Sequence, residues 1–190
     1  MIEEQFQEYL QKHISKLRDE VALLEQIKYE KWNTIPVRCA EISPEWFKMV
    51  LLEVENSGVL RNTAVLYYFQ LVDTNKIDPI VERIRELKSG GKTKYSLPKI
   101  NSTIDLPSRS ILYLGKSQKN FRERLKQHCG FGSSSTFALH LLKWAKPLGL
   151  DLSLHYTIFP TTAPLHIQIQ IETMMHQNMK PILGREGAMH

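Results

Sequence analysis

Apolar residues recur in steps of three and four from Phe6 through Leu10, Ile14, Leu17, Val21 and Leu24 to Ile27, while Glu, Lys and Gln fill the opposite face. That spacing predicts one long helix over residues 3–31. Residues 33–43 show no clear period and hold Pro36, so they read as irregular. Ser43-Pro44-Glu45 is a helix start, with a serine to accept the first amides and a proline at the first helical position. The helix it opens runs to about Asn56 and stops at Ser57-Gly58. Residues 64–72 are aromatic and branched and read as a buried strand. Asp78-Pro79 opens a further helix to about Lys88, closed by Gly90-Gly91. Residues 92–110 read as a long basic surface loop, with room for a short strand at Tyr95-Ser96-Leu97.

Ile111, Leu112, Tyr113 and Leu114 form another apolar run that ends in Gly115-Lys116-Ser117. A glycine there lets the backbone turn tightly or lets a ligand approach. Asn120 and Glu123 have the spacing of a capping box, so a helix follows. On it Arg124 and His128 are four apart and share a face. Residues 137–146 read as a helix stopped by Pro147, with Trp144 in the core. Leu152, Leu154, Tyr156 and Ile158 alternate as a strand. Leu165, Ile167, Ile169 and Ile171 also alternate, but the length of the segment and the Pro164 start favour a helix to about Met179. The elements predict an α/β fold of the α+β kind: a small mixed or antiparallel central sheet flanked by helices. A helical N-terminal region, 1–59, extends a unit at 60–190.

Charge changes this picture. The net charge is only +5, but residues 92–130 hold nine Lys and Arg against two acids. A local basic patch is the footprint of a nucleic-acid binder, although a solvated face without a partner would look the same. No apolar run nears the roughly 20 residues of a membrane span. Residues 1–5 are acidic and polar, unlike a signal peptide, and two cysteines fall short of a disulfide framework. These features point to a cytoplasmic, reducing location. Glu172 is the only acid between Asp151 and Glu186 and lies in an apolar run. A carboxylate there is costly to bury unless paired, with Arg124 or a lysine, or with a divalent metal.

Tyr113-Leu114-Gly115, the helix with Arg124 and His128, and the later Glu172 ahead of Pro181 together resemble the GIY-YIG nuclease family over roughly residues 60–187. Val65-Leu66-Tyr67 would stand for that family's first half-motif, with Val65 in place of glycine. Residues 74–109 would then be an insertion between neighbouring strands, and Tyr95 is a rival to Tyr67 as the first tyrosine. Gly184 falls where the family often has an asparagine. The resemblance implies a metal-dependent DNA endonuclease, a hydrolase of phosphodiester bonds, with Tyr67, Tyr113, Arg124, His128 and Glu172 as its catalytic residues. Glu172 would hold Mg²⁺ or Mn²⁺. Lys116 and His128 would be the cations that help Tyr67 lose its proton, a step that costs about 4 kcal/mol for a free tyrosine at pH 7. Lys116, Arg122, Lys126 and Lys99 would contact the nucleic acid, DNA in the first place with RNA not excluded. A restriction or defence role fits a short chain, and the N-terminal helix could pair with a second copy to give a homodimer. The alternative is a nucleic-acid-binding protein that keeps the fold without the chemistry.

Overall fold

The computed structural model describes residues 2–26, 31–89, 95–101, 110–161 and 163–185. Four strands form one antiparallel sheet: β1 Asn33–Arg38, β2 Val65–Leu71, β3 Ile111–Ser117 and β4 Asp151–Ile158, in the spatial order β1-β4-β2-β3. Among the described residues five α-helices accompany it: α1 Ile2–Gln26, α2 Pro44–Asn56, α3 Ile77–Ser89, α4 Phe121–Cys129 and α5 Leu165–Met179. The class is mixed α+β with an N-terminal helix, as the periodicity predicts. None of the described helices is long and apolar enough to cross a membrane.

β2 is central, and its alternation sorts the core. Tyr67 and Phe69 face a cluster that includes Phe47 and Val54 of α2, Ile80 and Ile84 of α3, and Phe121 and Leu125 of α4. Leu66, one residue away and on the other side of the pleat, packs with Phe159 and with Ile167 and Ile171 of α5. So α4 and α5 cover opposite faces of the sheet. The caps expected from the sequence form as read. Ser43 Oγ accepts the Trp46 amide at 3.1 Å and Asn120 Oδ1 accepts the Glu123 amide at 3.1 Å; α4 ends at Gly130, φ 100°.

Three expectations change. Residues 33–38 are a strand, not irregular: Ile35 and Val37 are buried while Thr34, Pro36 and Arg38 are exposed. Proline is tolerated because β1 is the outer strand of the sheet. β1 pairs with β4, and α2 packs in the same core as β2. The expected helix at 137–146 is two 3-10 turns, Leu141–Lys143 and Lys146–Leu148. His140 takes a left-handed backbone, φ 49°, which no helix can include. The Trp144 indole, fully buried, donates to the Leu139 carbonyl at 2.6 Å. Tyr95-Ser96-Leu97 is not a strand; the Ser96 amide bonds the Ser134 carbonyl and its own carbonyl accepts from Ala138. Parts of other expectations lie outside the described residues: 27–30 of the long helix, the Gly90-Gly91 that would close α3, and 92–94 and 102–109 of the basic loop.

β3 is the other outer strand, and the chain beyond α5 runs along its first half. The Ile182 amide donates to the Ile111 carbonyl and the Leu183 amide to the Leu112 carbonyl, each at 2.9 Å. This passage ties the end of α5 to the strand that carries Tyr113.

Candidate functional site

Tyr67 and Gly115 are register partners across β2 and β3. Tyr113 is two residues before Gly115 and therefore shares its face. Both phenols lean over the glycine. A β-carbon at position 115 would lie 2.9 Å from the Tyr113 ring and 3.0 Å from the Tyr67 hydroxyl. The glycine of the Tyr-Leu-Gly run is thus the floor on which two tyrosines stack, their ring centres 6.2 Å apart.

α4 brings Arg124 and His128 to the same place. Arg124 Nε donates to Tyr67 Oη at 3.1 Å and a terminal nitrogen donates to Tyr113 Oη at 2.9 Å. The other terminal nitrogen donates to the Phe137 carbonyl at 2.8 Å and to Gln127 Oε1 at 3.1 Å. Among the described residues, four of the five guanidinium N–H groups are therefore engaged. Arg124 is a brace between two tyrosines as much as a free cation. Both phenols hold its charge, so its pKa is raised in spite of burial, which acts the other way.

His128 is fully buried and its ring centre lies 4.7 Å from that of Tyr113. Its Nδ1 accepts the Leu139 amide at 3.1 Å and its Nε2 lies 2.9 Å from Tyr67 Oη. A ring nitrogen that accepts an amide hydrogen carries no proton, so the single proton of the neutral ring is on Nε2 and is donated to Tyr67. Burial first, then the charge of Arg124, push the imidazole pKa well below its ordinary value. This corrects the expectation that His128 is a cation: it is a neutral donor. Tyr67 Oη then accepts two N–H groups, and its own hydrogen points away from both. Burial raises the phenol pKa, the neighbouring Tyr113 phenol and the Glu172 carboxylate act in the same direction, and Arg124 opposes it.

Glu172 is not part of this hydrogen-bonded group. It lies on α5, on the opposite face of the sheet from α4, so the five expected residues do not meet in one direct cluster. Its carboxylate Oε2 accepts from Lys116 Nζ at 2.7 Å, and the two side chains are only 11% and 13% exposed. Lys116 is consequently not the free phosphate contact expected of it. The two groups are neighbours through β3 nonetheless. Gly115 lies beneath the Tyr67 hydroxyl, and Lys116, the next residue, is on the Glu172 face. The charge of Glu172 is felt at Tyr67.

The remaining basic residues are spread out. Arg122 pairs with Glu55 of α2, and Lys126 lies 3.7 Å from Glu123. Both line a groove of about 440 Å³ between α2 and α4, together with Arg61. Lys99 is exposed, and its carbonyl accepts the Gly184 amide at 2.8 Å. Gly184, at φ 122°, packs against the Tyr113 ring, where a β-carbon would be 3.4 Å away. Tyr95 is near His140 and under Lys143, outside the Tyr67 group. The sequence reading misses Gln127, the Phe137 carbonyl and the Leu139 amide, which orient Arg124 and His128. No side-chain pattern signals the two backbone groups, and a helix drawn over 137–146 would have hidden them.

The chain matches no protein-family model, and comparison with curated proteins and with solved structures yields no similar one.

Proposed function

We propose that this chain is a metal-dependent endonuclease of the GIY-YIG type acting on DNA. The observation that carries the reading is the phenolic oxygen of Tyr67, which receives one N–H from Arg124 and one from His128. Two donors converging on one oxygen stabilise the oxyanion against the burial that raises the phenol's pKa, and a tyrosine that takes a proton from water needs such donors. Arg124 is the cation that offsets the charge. Tyr113, held by the same guanidinium, orients the water or a phosphate oxygen. The engaged N–H groups fix Arg124 beside the position where charge grows on the phosphate.

Among the described residues no three His, Cys, Asp or Glu side chains gather into a metal-holding group. Mg²⁺ is held by one or two carboxylates plus substrate phosphate and keeps several waters, so a single carboxylate fits it. Glu172 would be that carboxylate. A bound Mg²⁺ or Mn²⁺ supplies Lewis acidity toward phosphate and lowers the pKa of its water. Lys126, Arg122 and Arg61 line a track for the DNA backbone beside α4, with Lys99 at the Tyr113 side. The reading is cytoplasmic and takes a second copy through α1, where Phe6, Leu10, Leu17, Val21 and Leu24 stand in solvent. Restriction or defence is the role that suits it.

One observation favours the alternative, a nucleic-acid-binding protein without the chemistry: Tyr67 is only 1% exposed and must be uncovered before a water can reach it. Cleavage assays on varied duplex and single-stranded DNA with Mg²⁺ or Mn²⁺ decide. Wild type should cut, and Glu172→Ala should stop cutting while leaving DNA binding in place. A wild type that binds DNA and cuts none of it leaves the alternative.

A further inference from the structure

We infer that Lys116 is a built-in occupant of the Glu172 carboxylate, one that a divalent cation must displace, so that cation and nucleic acid bind well only together. This rests on the reading of Glu172 as the metal ligand. Glu172 lies in an apolar stretch of α5, between Ile171 and the core-packed Met175, and is 8% exposed. A carboxylate so placed is held as an ion only by a cation beside it. Lys116 is that cation, with Nζ 2.7 Å from Oε2 and its own side chain 13% exposed. A second cation on the same carboxylate is repelled by the ammonium at close range and in a poorly screened place.

Lysine suits an exchangeable role. Its charge sits at the end of a flexible four-carbon stem, whereas a guanidinium would lock on through a planar fork. Lys116 lies on the Glu172 face but on the outer strand β3, next to Gly115, the floor of the tyrosine pair, so a released ammonium has only the strand's edge to round to meet a phosphate there. A phosphate oxygen brought to the tyrosines would take the lysine that the carboxylate gives up. Without a phosphate the displaced ammonium would be left unpaired, and that penalty keeps the cation out. The link between the two ligands is reciprocal, as any thermodynamic coupling must be.

The test is Mn²⁺ binding without DNA, read by the electron paramagnetic resonance of free Mn²⁺ and by the thermal shift it produces. Wild type should bind weakly. Lys116→Met should bind about tenfold tighter or more, a gain within the usual range of coupling between two ligands. It should also be the variant whose melting temperature Mn²⁺ raises most, because the ion replaces the lost ammonium. Lys116→Arg should bind Mn²⁺ no tighter than wild type, because a guanidinium holds the carboxylate at least as firmly. Glu172→Gln should abolish the gain in the Lys116→Met background. A merely structural lysine would lower Mn²⁺ affinity when removed, the opposite sign. Should Lys116→Met fail to fold, Lys116→Gln, which keeps an N–H donor without the charge, carries the same expectation. Equal affinity in wild type and in the charge-removing variants, lost with Glu172→Gln, would overturn the displacement while leaving Glu172 a ligand. Mn²⁺ binding indifferent to Glu172 in every background, with DNA or without, would overturn the metal reading itself.

Discussion

Leu139 places the proton of His128, and through it the character of Tyr67. Its amide fills Nδ1 at 3.1 Å, so the ring offers Tyr67 a hydrogen and cannot receive one. The burial that keeps this ring neutral has a cost at low pH. An unfolded histidine takes up a proton near pH 6.5, whereas the folded His128 refuses it until well below that. The unfolded state therefore binds more protons in that window, and stability is full above about pH 6.5 and falls as pH drops below it. His140 and His155, both shifted downward by burial, act in the same direction. Urea unfolding should show a level midpoint from pH 7 to 8 and a decline toward pH 5, with up to about 1.4 kcal/mol lost per pH unit through the fully buried His128 and less through the other two. His128→Gln should make the decline shallower. An unchanged slope in that variant would mean that His128 accepts its proton in the folded state. The residue types Tyr67, Tyr113, Arg124 and His128 were legible from motif and spacing. Their partners were not, because a backbone amide and a carbonyl leave no trace in composition.

At the level of elements, periodicity found β2, β3, β4 and the helices α2 to α5 because each is long enough to repeat its pattern. It missed β1, whose two buried positions, Ile35 and Val37, flank a proline that argues against a strand everywhere except at a sheet margin. It overread 137–146, where apolar residues serve a folded loop and not a helix face. The join between β2 and β3 carries the most specific demand. At position 115 any side chain meets the Tyr113 ring at 2.9 Å and the Tyr67 hydroxyl at 3.0 Å, and the Tyr67 ring is buried in the packed core and cannot retreat. Gly115→Ala should cost about 1–3 kcal/mol, the usual penalty for forcing an extra carbon into a filled site. It should also separate the phenols from Arg124. Denaturant unfolding gives the first quantity. Fluorescence titration of the tyrosines gives the second, and an alanine variant with wild-type stability and an unaltered titration would remove the glycine from this account.

For the whole molecule, α1 is the part that the rest does not explain. Leu23 packs on the α5 side, while Phe6 is 61% exposed and Val21 53% exposed along a helix of 25 residues. Contiguous apolar surface of this kind marks a site of association. Under the homodimer reading, sedimentation equilibrium should show a dimer for wild type and a monomer for a Leu10→Glu, Leu17→Glu variant with unchanged helix content. A wild type that stays monomeric at every concentration would retire the dimer. Sequence alone could show that α1 is amphipathic. It could not show which neighbour the stripe meets, since a stripe that packs within the chain and one that packs between chains are written with the same residues.

β4 lies in the interior of the sheet only because β1 flanks it. A shortened chain that began at the motif-bearing segment would strip β4 of that neighbour and leave its outward amides and carbonyls ready to join those of another molecule. Residues 33–38 are thus not a handle that can be cut away to isolate the chemistry. They finish the platform on which the tyrosines stand, and a fragment chosen by motif alone would clump before it could be assayed.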